Sequence, residues 1–238
     1  MKNMIMASSS TVYGSAFLEY LQPQIALLFA GVTELLFIPY ARPSGLSYKH
    51  YTAFVQTRFE FMNLKVKGIH SFSNPVEAIQ NAQAIFTGGG NTFVLVDALY
   101  KNNILDVLRT KIESGTPYLG TSAGTNICGV SMQTTNDMPI VYPKSYTTLN
   151  LIPFNINAHF IEPSKDSKHK GETREIRIKE FHIYNDVPVI GLREGSWLSV
   201  KDNKITLKGE LTATLFEKGE AKKEYVTNTV FKTETNEK

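Results

Sequence analysis

Short apolar segments alternate with longer amphipathic segments along most of the chain. The apolar segments have the length of strands and the others have the spacing of helices, which is the rhythm of βαβ units. The pattern predicts strands at Met4–Ala7, Leu35–Tyr40, Val66–Phe72, Ala84–Thr87, Tyr118–Gly120 and Val189–Leu192. It predicts helices at Ser15–Ala30, Ser47–Leu64, Pro75–Asn81, Thr92–Lys101 and Ile104–Glu113. We therefore expect an α/β protein with a mostly parallel sheet flanked by helices.

The pattern changes after about residue 185. Alternating polar and apolar positions flank Asp202 and Asn203, which predicts an antiparallel hairpin at the sheet edge. Residues 217–238 are rich in Lys, Glu and Thr, so we expect a charged tail whose end is frayed. No repeat or linker interrupts the sequence, and residues 1–238 are expected to form a single domain.

The composition is that of a globular protein and argues against several classes of function. The 238 residues are 42% hydrophobic and 20% charged, unlike a disordered or collagen-like chain. The formal net charge is only +3, and the basic residues are interspersed with acidic ones, so nucleic-acid binding is not expected. The single cysteine, Cys128, excludes an internal disulfide and a thiolate-built metal site. We expect no metal and no cofactor.

Nothing in the sequence predicts a targeting or membrane segment. The first residues are too short an apolar run for a signal-peptide core. The most hydrophobic stretch, Ile25–Ala41, is interrupted by polar residues and is shorter than the ~20 apolar residues of a membrane span. We therefore expect a cytoplasmic protein with no membrane partner.

The most specific local signal is the segment Gly120–Gly124, with the sequence GTSAG, between a predicted strand and a plausible helix start. This is the pattern of a nucleophile elbow. Such a tight turn needs small residues beside the nucleophile, and the two glycines and Ala123 meet that requirement. Ser122 would project at the carboxyl edge of the sheet, where open α/β folds bind ligands.

A second glycine cluster, Gly88–Gly90, also follows a predicted strand and precedes a helix that Asn91 would cap. It lacks the Gly-Lys-Ser/Thr ending of a phosphate-binding loop and the spacing of the dinucleotide fingerprint. Two uses remain: a structural turn, or an oxyanion hole. In the second, the amide N–H groups of Gly89 and Ala123 would stabilise negative charge on the substrate.

A serine nucleophile needs a general base, and His159 is the favoured candidate. It ends an apolar, strand-like run, which is where a base would be held, although a buried structural histidine is as good an interpretation of this residue alone. The other histidines are expected at the surface, in packing positions or near a helix end; they are His50, His70, His169 and His182.

Two carboxylates are candidates for the group that orients the imidazole. Asp137 lies in a polar turn before an apolar run, whereas Glu194 follows the predicted strand Val189–Leu192. Triads occur with different chain orders, so Ser-Asp-His and Ser-His-Glu are both acceptable. The spacing leaves the choice open.

Together these segments resemble the dipeptidase E family of serine peptidases, also called peptidase E or α-aspartyl dipeptidases. The matching stretches follow one another in the family's order between about residues 84 and 197: GGGNTF, GTSAGTN, TTNDMPIV, INAHF, HKGETRE and VIGLREGSW. The resemblance implies a flavodoxin-like fold related to class I glutamine amidotransferases. It also implies metal-free hydrolysis of dipeptides with an N-terminal aspartate. By position, Ser122 matches the nucleophile, His159 the base, and Asp137 and Glu194 the acids.

An N-terminal aspartate presents a carboxylate and an ammonium group that both need partners. We predict that Arg174 binds the side-chain carboxylate, because a guanidinium can donate two parallel hydrogen bonds to it. Asn91 is a second predicted substrate contact. Of Asp137 and Glu194, one would orient His159 and the other would face the α-ammonium. The chain departs from bacterial members of the family at Thr121, where an aromatic residue is common, and in a longer segment around residues 159–172.

Other functions are compatible with the same motifs. A cyanophycinase-like peptidase would share the elbow but cleave β-aspartyl links, and a catalytically silent sensor would use the pocket only for binding. A glutaminase would need cysteine at the elbow, whereas Cys128 lies further along the helix as a small buried residue. The sequence does not distinguish a monomer from a homodimer.

Overall fold

The computed structural model describes residues 1–162 and 171–231, which form two β-sheets and their flanking helices. The strands are β1 (Asn3–Ala7), β2 (Glu34–Ile38), β3 (Lys65–Gly68), β4 (Ile85–Thr87), β5 (Tyr118–Thr121), β6 (Asn155–Ala158), β7 (Val189–Leu192), β8 (Trp197–Lys201), β9 (Lys204–Lys208), β10 (Ala213–Phe216), β11 (Lys223–Tyr225) and β12 (Val230–Phe231). The helices are α1 (Gln22–Leu28), α2 (Tyr48–Arg58), α3 (Pro75–Gln80), α4 (Thr92–Lys101), α5 (Leu105–Glu113), α6 (Ala123–Asn126) and α7 (Arg174–Tyr184).

The large sheet has the strand order β12-β9-β8-β1-β5-β4-β2-β3. The five strands from β1 to β3 in that order are parallel, whereas β8, β9 and β12 are antiparallel additions. The mostly parallel sheet predicted from the sequence is confirmed. So is the hairpin around Asp202 and Asn203, although β12 lies outside it at the edge.

A second, smaller sheet has the order β11-β10-β7-β6, which the sequence analysis did not predict. Strand β6 is buried although it carries two asparagines, because their amides find partners in the loop 130–136. Asn155 Oδ1 accepts a hydrogen bond from the N–H of Ser131, and Asn157 Nδ2 donates one to the carbonyl of Thr134. The expected charged tail contributes β11 and β12, and its predicted frayed end, residues 232–238, lies outside the described residues.

Several predicted elements are shorter in the structure than in the sequence pattern, among them helices α1 and α2 and strand β3. Helix α1 begins only at Gln22, because Pro23 has no N–H and is accommodated in the first turn of a helix. Strand β3 ends at Gly68 and is followed by a 3₁₀ turn over residues 69–71. Asn74 caps α3, with its side chain accepting a hydrogen bond from the N–H of Glu77.

The core lies on both faces of the large sheet. Alternate residues of β1 face opposite clusters: Met4 and Met6 join the side covered by α3, α4 and α5, and Ile5 and Ala7 join the side covered by α1 and α2. The small sheet adds one face to the first cluster. Its other face packs on α7 through a small cluster that contains Phe160, Ile178, Val189 and Phe216.

The strand registers bring the carboxyl ends of several strands together. Ala7 pairs with Thr121, and Thr87 pairs with Gly120, so the residues after β1, β5 and β4 are neighbours. In the small sheet Ala158 pairs with Leu192, which brings the residues after β6 and β7 together. No helix of the described residues is long and apolar enough to cross a membrane.

Candidate active site

Ser122 lies in the turn between β5 and α6, with φ +52° and ψ −110°. This backbone conformation is unfavourable for a residue with a side chain and is found where a nucleophile is exposed on a sharp turn. The neighbouring glycines are required by close backbone contacts. A Cβ on Gly124 would collide with the carbonyl of Thr87, and one on Gly120 would lie 2.5 Å from the carbonyl oxygen of Gly124.

The imidazole of His159 lies between Ser122 and Glu194. Its Nε2 is 2.9 Å from Ser122 Oγ, and its Nδ1 is 2.6 Å from Glu194 Oε1. A proton on Nδ1 would be donated to the carboxylate, which leaves Nε2 as the acceptor for the serine proton. The arrangement has the connectivity of a serine–histidine–carboxylate triad.

Asp137 makes a different set of contacts. Its Oδ2 accepts hydrogen bonds from the N–H of Thr92 at 2.7 Å and from the Thr92 hydroxyl at 2.5 Å. The hydroxyl of Thr135 donates a third, at 2.9 Å. These bonds fasten the loop that carries Asp137 to the start of α4. Of the two acids that the sequence left open, the structure brings Glu194 to His159.

The surroundings of Glu194 are built by aromatic and basic side chains. Burial raises the pKa of Tyr20 to about 12; the side chain of Ser9 opposes this shift, and the charge of Glu194 acts in the same direction as burial. The Tyr20 hydroxyl donates a hydrogen bond to the carbonyl of Ser9. Arg193 donates hydrogen bonds to the carbonyl of Thr212 and to the carboxylate of Glu224. Its contacts fasten the end of β7, and thereby the backbone next to Glu194, to the neighbouring strands.

The two predicted oxyanion-hole residues flank Ser122. A Cβ on Gly89 would lie 3.0 Å from Ser122 Cβ, so the backbone of Gly89 is in direct contact with the serine. Ala123 is the first residue of α6, where amide N–H groups have no partner within the helix. Since α6 is only four residues long, local N–H groups matter more here than a helix dipole. Their role in oxyanion binding stays a prediction.

Arg174, at the start of α7, lines a cavity of about 350 Å³ together with His159, Glu194 and Arg193. Arg193 is paired with Glu162 and Glu224, whereas the buried Nη1 of Arg174 has no hydrogen-bond partner within residues 1–162 and 171–231. Burial lowers the pKa of Arg174, and the nearby charge of Glu194 opposes that shift. An arginine remains cationic under these conditions.

Asn91 has both ends of its amide engaged in the fold. Oδ1 accepts a hydrogen bond from the N–H of Val94 and so caps α4, and Nδ2 donates to the carbonyl of Met138. The predicted cap is therefore confirmed. Its predicted contact with substrate stays a prediction.

The remaining candidate groups lie away from this arrangement. Cys128 is completely buried, and burial raises the pKa of its thiol to about 12. His50 contacts the cap of α2, burial lowers the pKa of His70, and His182 bonds to the carbonyl of Val187. His169 lies outside the described residues. In the part of the chain that the structure describes, no group of three His, Cys, Asp or Glu residues is placed to hold a metal.

Sequence reasoning missed two residues that contact the site. Ser8 directly follows β1 at the same sheet edge as Ser122, and its position as a polar residue after a buried strand was the available signal. Arg193 directly precedes Glu194. Its contacts with Thr212 and Glu224 depend on strands β10 and β11, which the pattern did not predict.

The family comparison finds one match that covers most of the chain: residues 4–208 match peptidase family S51. Peptidase E of Streptomyces coelicolor is 43% identical over 222 residues, which are 93% of this chain and 90% of the relative. A probable alpha-aspartyl dipeptidase of Drosophila melanogaster is 44% identical over 218 residues, 90% of each chain.

Two crystal structures share the fold. A putative peptidase E protein from Listeria monocytogenes superposes with a TM-score of 0.64 at 22% identity, covering 88% of this chain and 98% of that one. A peptidase from an acI-B1 actinobacterium superposes with a TM-score of 0.71 at 17% identity, covering 98% and 97%. At these identities the likeness concerns the fold alone.

Proposed function

The chain belongs to peptidase family S51, and from this premise we propose that it is a serine-type dipeptidase that hydrolyses dipeptides with an N-terminal aspartate. The observation that carries the proposal is the imidazole of His159, hydrogen-bonded to Ser122 on one side and to Glu194 on the other. The names of the relatives, peptidase E and alpha-aspartyl dipeptidase, supply the substrate class.

The first half of the reaction forms an acyl-enzyme. Ser122 Oγ attacks the carbonyl carbon of the peptide bond while His159 Nε2 accepts the hydroxyl proton. Glu194 keeps Nδ1 protonated and stabilises the imidazolium that forms. The peptide C–N bond then breaks, the leaving amine takes the proton from Nε2, and the aspartyl group remains as an ester on Ser122.

The second half releases the aspartate. A water molecule donates its proton to His159 Nε2 and attacks the ester carbonyl, and the same proton returns to Ser122 Oγ as the ester bond breaks. In both halves negative charge builds up on the carbonyl oxygen. The amide N–H groups of Gly89 and Ala123 are the proposed donors to it, and one such donor contributes ~10²–10³ in kcat in other serine peptidases.

Recognition of the aspartyl group is assigned to two side chains. Arg174 would bind the side-chain carboxylate, since its buried Nη1 lacks a hydrogen-bond partner among the described residues and lines the same cavity as His159. Asp137 would bind the α-ammonium. Glu194 is already hydrogen-bonded to His159, whereas the hydrogen bonds that Asp137 accepts from Thr92 and Thr135 use its Oδ2 and not its Oδ1. The cytoplasmic location and the oligomeric state stay predictions.

The names of the relatives do not favour the β-aspartyl peptidase or the silent sensor that the sequence allowed. A sensor has no need of a histidine placed to deprotonate a serine. A β-aspartyl enzyme would have to accept a substrate whose α-carboxylate takes the place of the side-chain carboxylate. Substrate panels separate these functions directly.

The test is hydrolysis of Asp-Leu in the presence of EDTA, with Leu-Leu, Glu-Leu and a β-Asp dipeptide as controls. We expect cleavage of Asp-Leu alone, and we expect Ser122→Ala to lose nearly all of it while keeping its fold. Cleavage of the β-linked peptide in preference to Asp-Leu would reassign the substrate. If the folded wild-type protein cleaves none of the four and does not react with a fluorophosphonate, the peptidase assignment is wrong.

A further inference from the structure

We propose that Ser8 is a positioning residue for the catalytic groups, acting through hydrogen bonds to the strand ends that carry His159 and Glu194. The proposal rests on the serine peptidase function proposed above and deepens it. Ser8 directly follows β1, which belongs to the large sheet, whereas His159 and Glu194 follow strands of the small sheet. Ser8 is completely buried and does not need to touch substrate to act.

The hydroxyl of Ser8 connects the ends of β6 and β7. Its Oγ accepts a hydrogen bond from the backbone N–H of His159 at 2.8 Å and donates one to the carbonyl of Leu192 at 2.7 Å. Leu192 lies two residues before Glu194. One hydroxyl therefore fixes the backbone on both sides of the contact between the imidazole and the carboxylate.

The backbone around Ser8 completes these connections. The carbonyl of Ala7 accepts a hydrogen bond from the N–H of Ser122 at 3.1 Å. The N–H of Ser8 donates to the carbonyl of Ser196 at 3.0 Å, two residues after Glu194. The two consecutive residues Ala7 and Ser8 thus contact the backbone at or near each of the three catalytic side chains.

His159 needs such support because its own backbone is strained. Its φ is +55°, in the left-handed region that residues with a side chain seldom adopt. In the described residues no strand of the small sheet pairs with the large sheet, so strand pairing does not set the distance between His159 and Ser122. The Ser8 hydroxyl bonds across that gap.

The neighbouring Ser9 provides a matched control. It is also buried, with 2% exposure, but its hydroxyl makes no hydrogen bond to the strand ends that carry His159 and Glu194. Replacing Ser9 by alanine therefore removes a buried hydroxyl from the same segment without removing a bond to the catalytic strands. Ser8→Thr keeps the hydroxyl and tests whether the bonds, rather than the volume, matter.

The experiment measures kcat and KM for Asp-Leu in wild type, Ser8→Ala, Ser8→Thr and Ser9→Ala, with circular dichroism to check folding. We expect Ser8→Ala to lower kcat by about 100-fold with little change in KM, since misplacement of a catalytic group by ~1 Å has that effect. Ser9→Ala should match wild type, and Ser8→Thr should recover at least tenfold over Ser8→Ala.

A kcat of folded Ser8→Ala within threefold of wild type, or an effect confined to KM, would overturn the proposal. So would a Ser9→Ala variant that is as slow as Ser8→Ala. If Ser8→Ala does not fold, Ser8→Cys, which keeps most of the volume but bonds weakly, is judged by the same criteria.

A second readout does not depend on the substrate. The proton on His159 Nδ1, held by Glu194, should give a low-field NMR resonance in wild type and Ser9→Ala that broadens or disappears in Ser8→Ala. A resonance unchanged in Ser8→Ala would overturn the positioning role. Because this signal is independent of turnover, failure of wild type to cleave Asp-Leu would count against the proposed function and not against the role of Ser8.

Discussion

The proposed nucleophile and its two partners lie on different kinds of sheet. Ser122 follows a central strand of the mostly parallel large sheet, which is buried on both faces by large apolar clusters. His159 and Glu194 follow neighbouring strands of a small sheet. Among the residues that the structure describes, the outer face of this sheet carries a small apolar cluster with α7 and ion pairs around Arg193. The large sheet is buried in apolar clusters on both faces, whereas the small sheet is buried in the main cluster on one face only and is supported on the other by fewer apolar contacts and by ion pairs.

The two halves of the site depend on the sequence in different ways. The elbow is specified locally, because Gly120 and Gly124 are required by backbone contacts within the turn and its immediate neighbours. The His159–Glu194 contact is specified at a distance, because it depends on the pairing of Ala158 with Leu192. If both halves serve one reaction, changes in either should have the same kinetic consequence.

The largest expected effect on kcat therefore comes from removing Ser122 or His159, whose hydrogen bond joins the large-sheet and small-sheet halves of the site. Ser122→Ala and His159→Gln should each lower kcat for Asp-Leu by ~10⁴–10⁶, and the double variant should fall no further, because triad residues act as a unit. Steady-state kinetics of the three variants checks this. Multiplicative losses would mean that the two sheets contribute independently.

The next largest effect separates the two acids. Glu194→Gln should lower kcat by about 10⁴-fold, since the amide no longer holds the imidazole in the required tautomer. Asp137→Asn should mainly raise KM, because its carboxylate is assigned to the substrate ammonium and lies outside the contact with His159. Steady-state measurement of kcat and KM for Glu194→Gln and Asp137→Asn tests this division of roles. The same kinetic phenotype in both would contradict the division.

The sequence predicts the large sheet and its elbow better than the small sheet and the His159–Glu194 contact. The elbow and the strand Val189–Leu192 are visible because their signals lie within a few residues. The runs at β6 and β7 look like strands, but the small sheet as a separate sheet was not predicted, because its pairings join distant segments and β11 looks like a charged tail. The choice between Asp137 and Glu194 depends on strand pairing, which spacing does not reveal.

A smaller effect, on KM, is expected at Arg174 in the helix that packs on the small sheet. Arg174→Lys should raise KM for Asp-Leu by about 10–100-fold, because a hydrogen-bonded charge pair contributes about 1.5–3 kcal/mol and lysine cannot donate two parallel bonds. Arg177→Lys on the same helix is the control, since Arg177 is exposed and 3.8 Å from Glu172. An unchanged KM in Arg174→Lys would remove Arg174 from the binding site.

The smallest effect concerns the ion pairs that support the small sheet. Glu175 in the first turn of α7 accepts hydrogen bonds from Lys179 and Lys222, both at 2.7 Å, and these bonds lower its pKa below the usual value near 4.5. Because the pKa of Glu175 is lower in the folded than in the unfolded chain, its ionisation stabilises the fold at pH values above the unfolded pKa. This stabilisation is lost as the pH falls through the lower, folded-state pKa. Lys222→Met should therefore reduce the free energy of unfolding at pH 7 by less than about 1 kcal/mol, because the Lys222 side chain is 42% exposed and surface ion pairs contribute little.

Urea denaturation of wild type and Lys222→Met across pH 2–7 measures this difference, with Lys179→Met as the control that removes only the pair within the helix. The difference should shrink below the lowered pKa of Glu175 and also at high salt, because screening weakens pairs at the surface. A difference that persists undiminished at pH 2 would show that Lys222 contributes through packing of its aliphatic stem. In that case the outer face of the small sheet would resemble the faces of the large sheet more closely than the contrast between them implies, since apolar contacts would then support it where an ion pair was assigned.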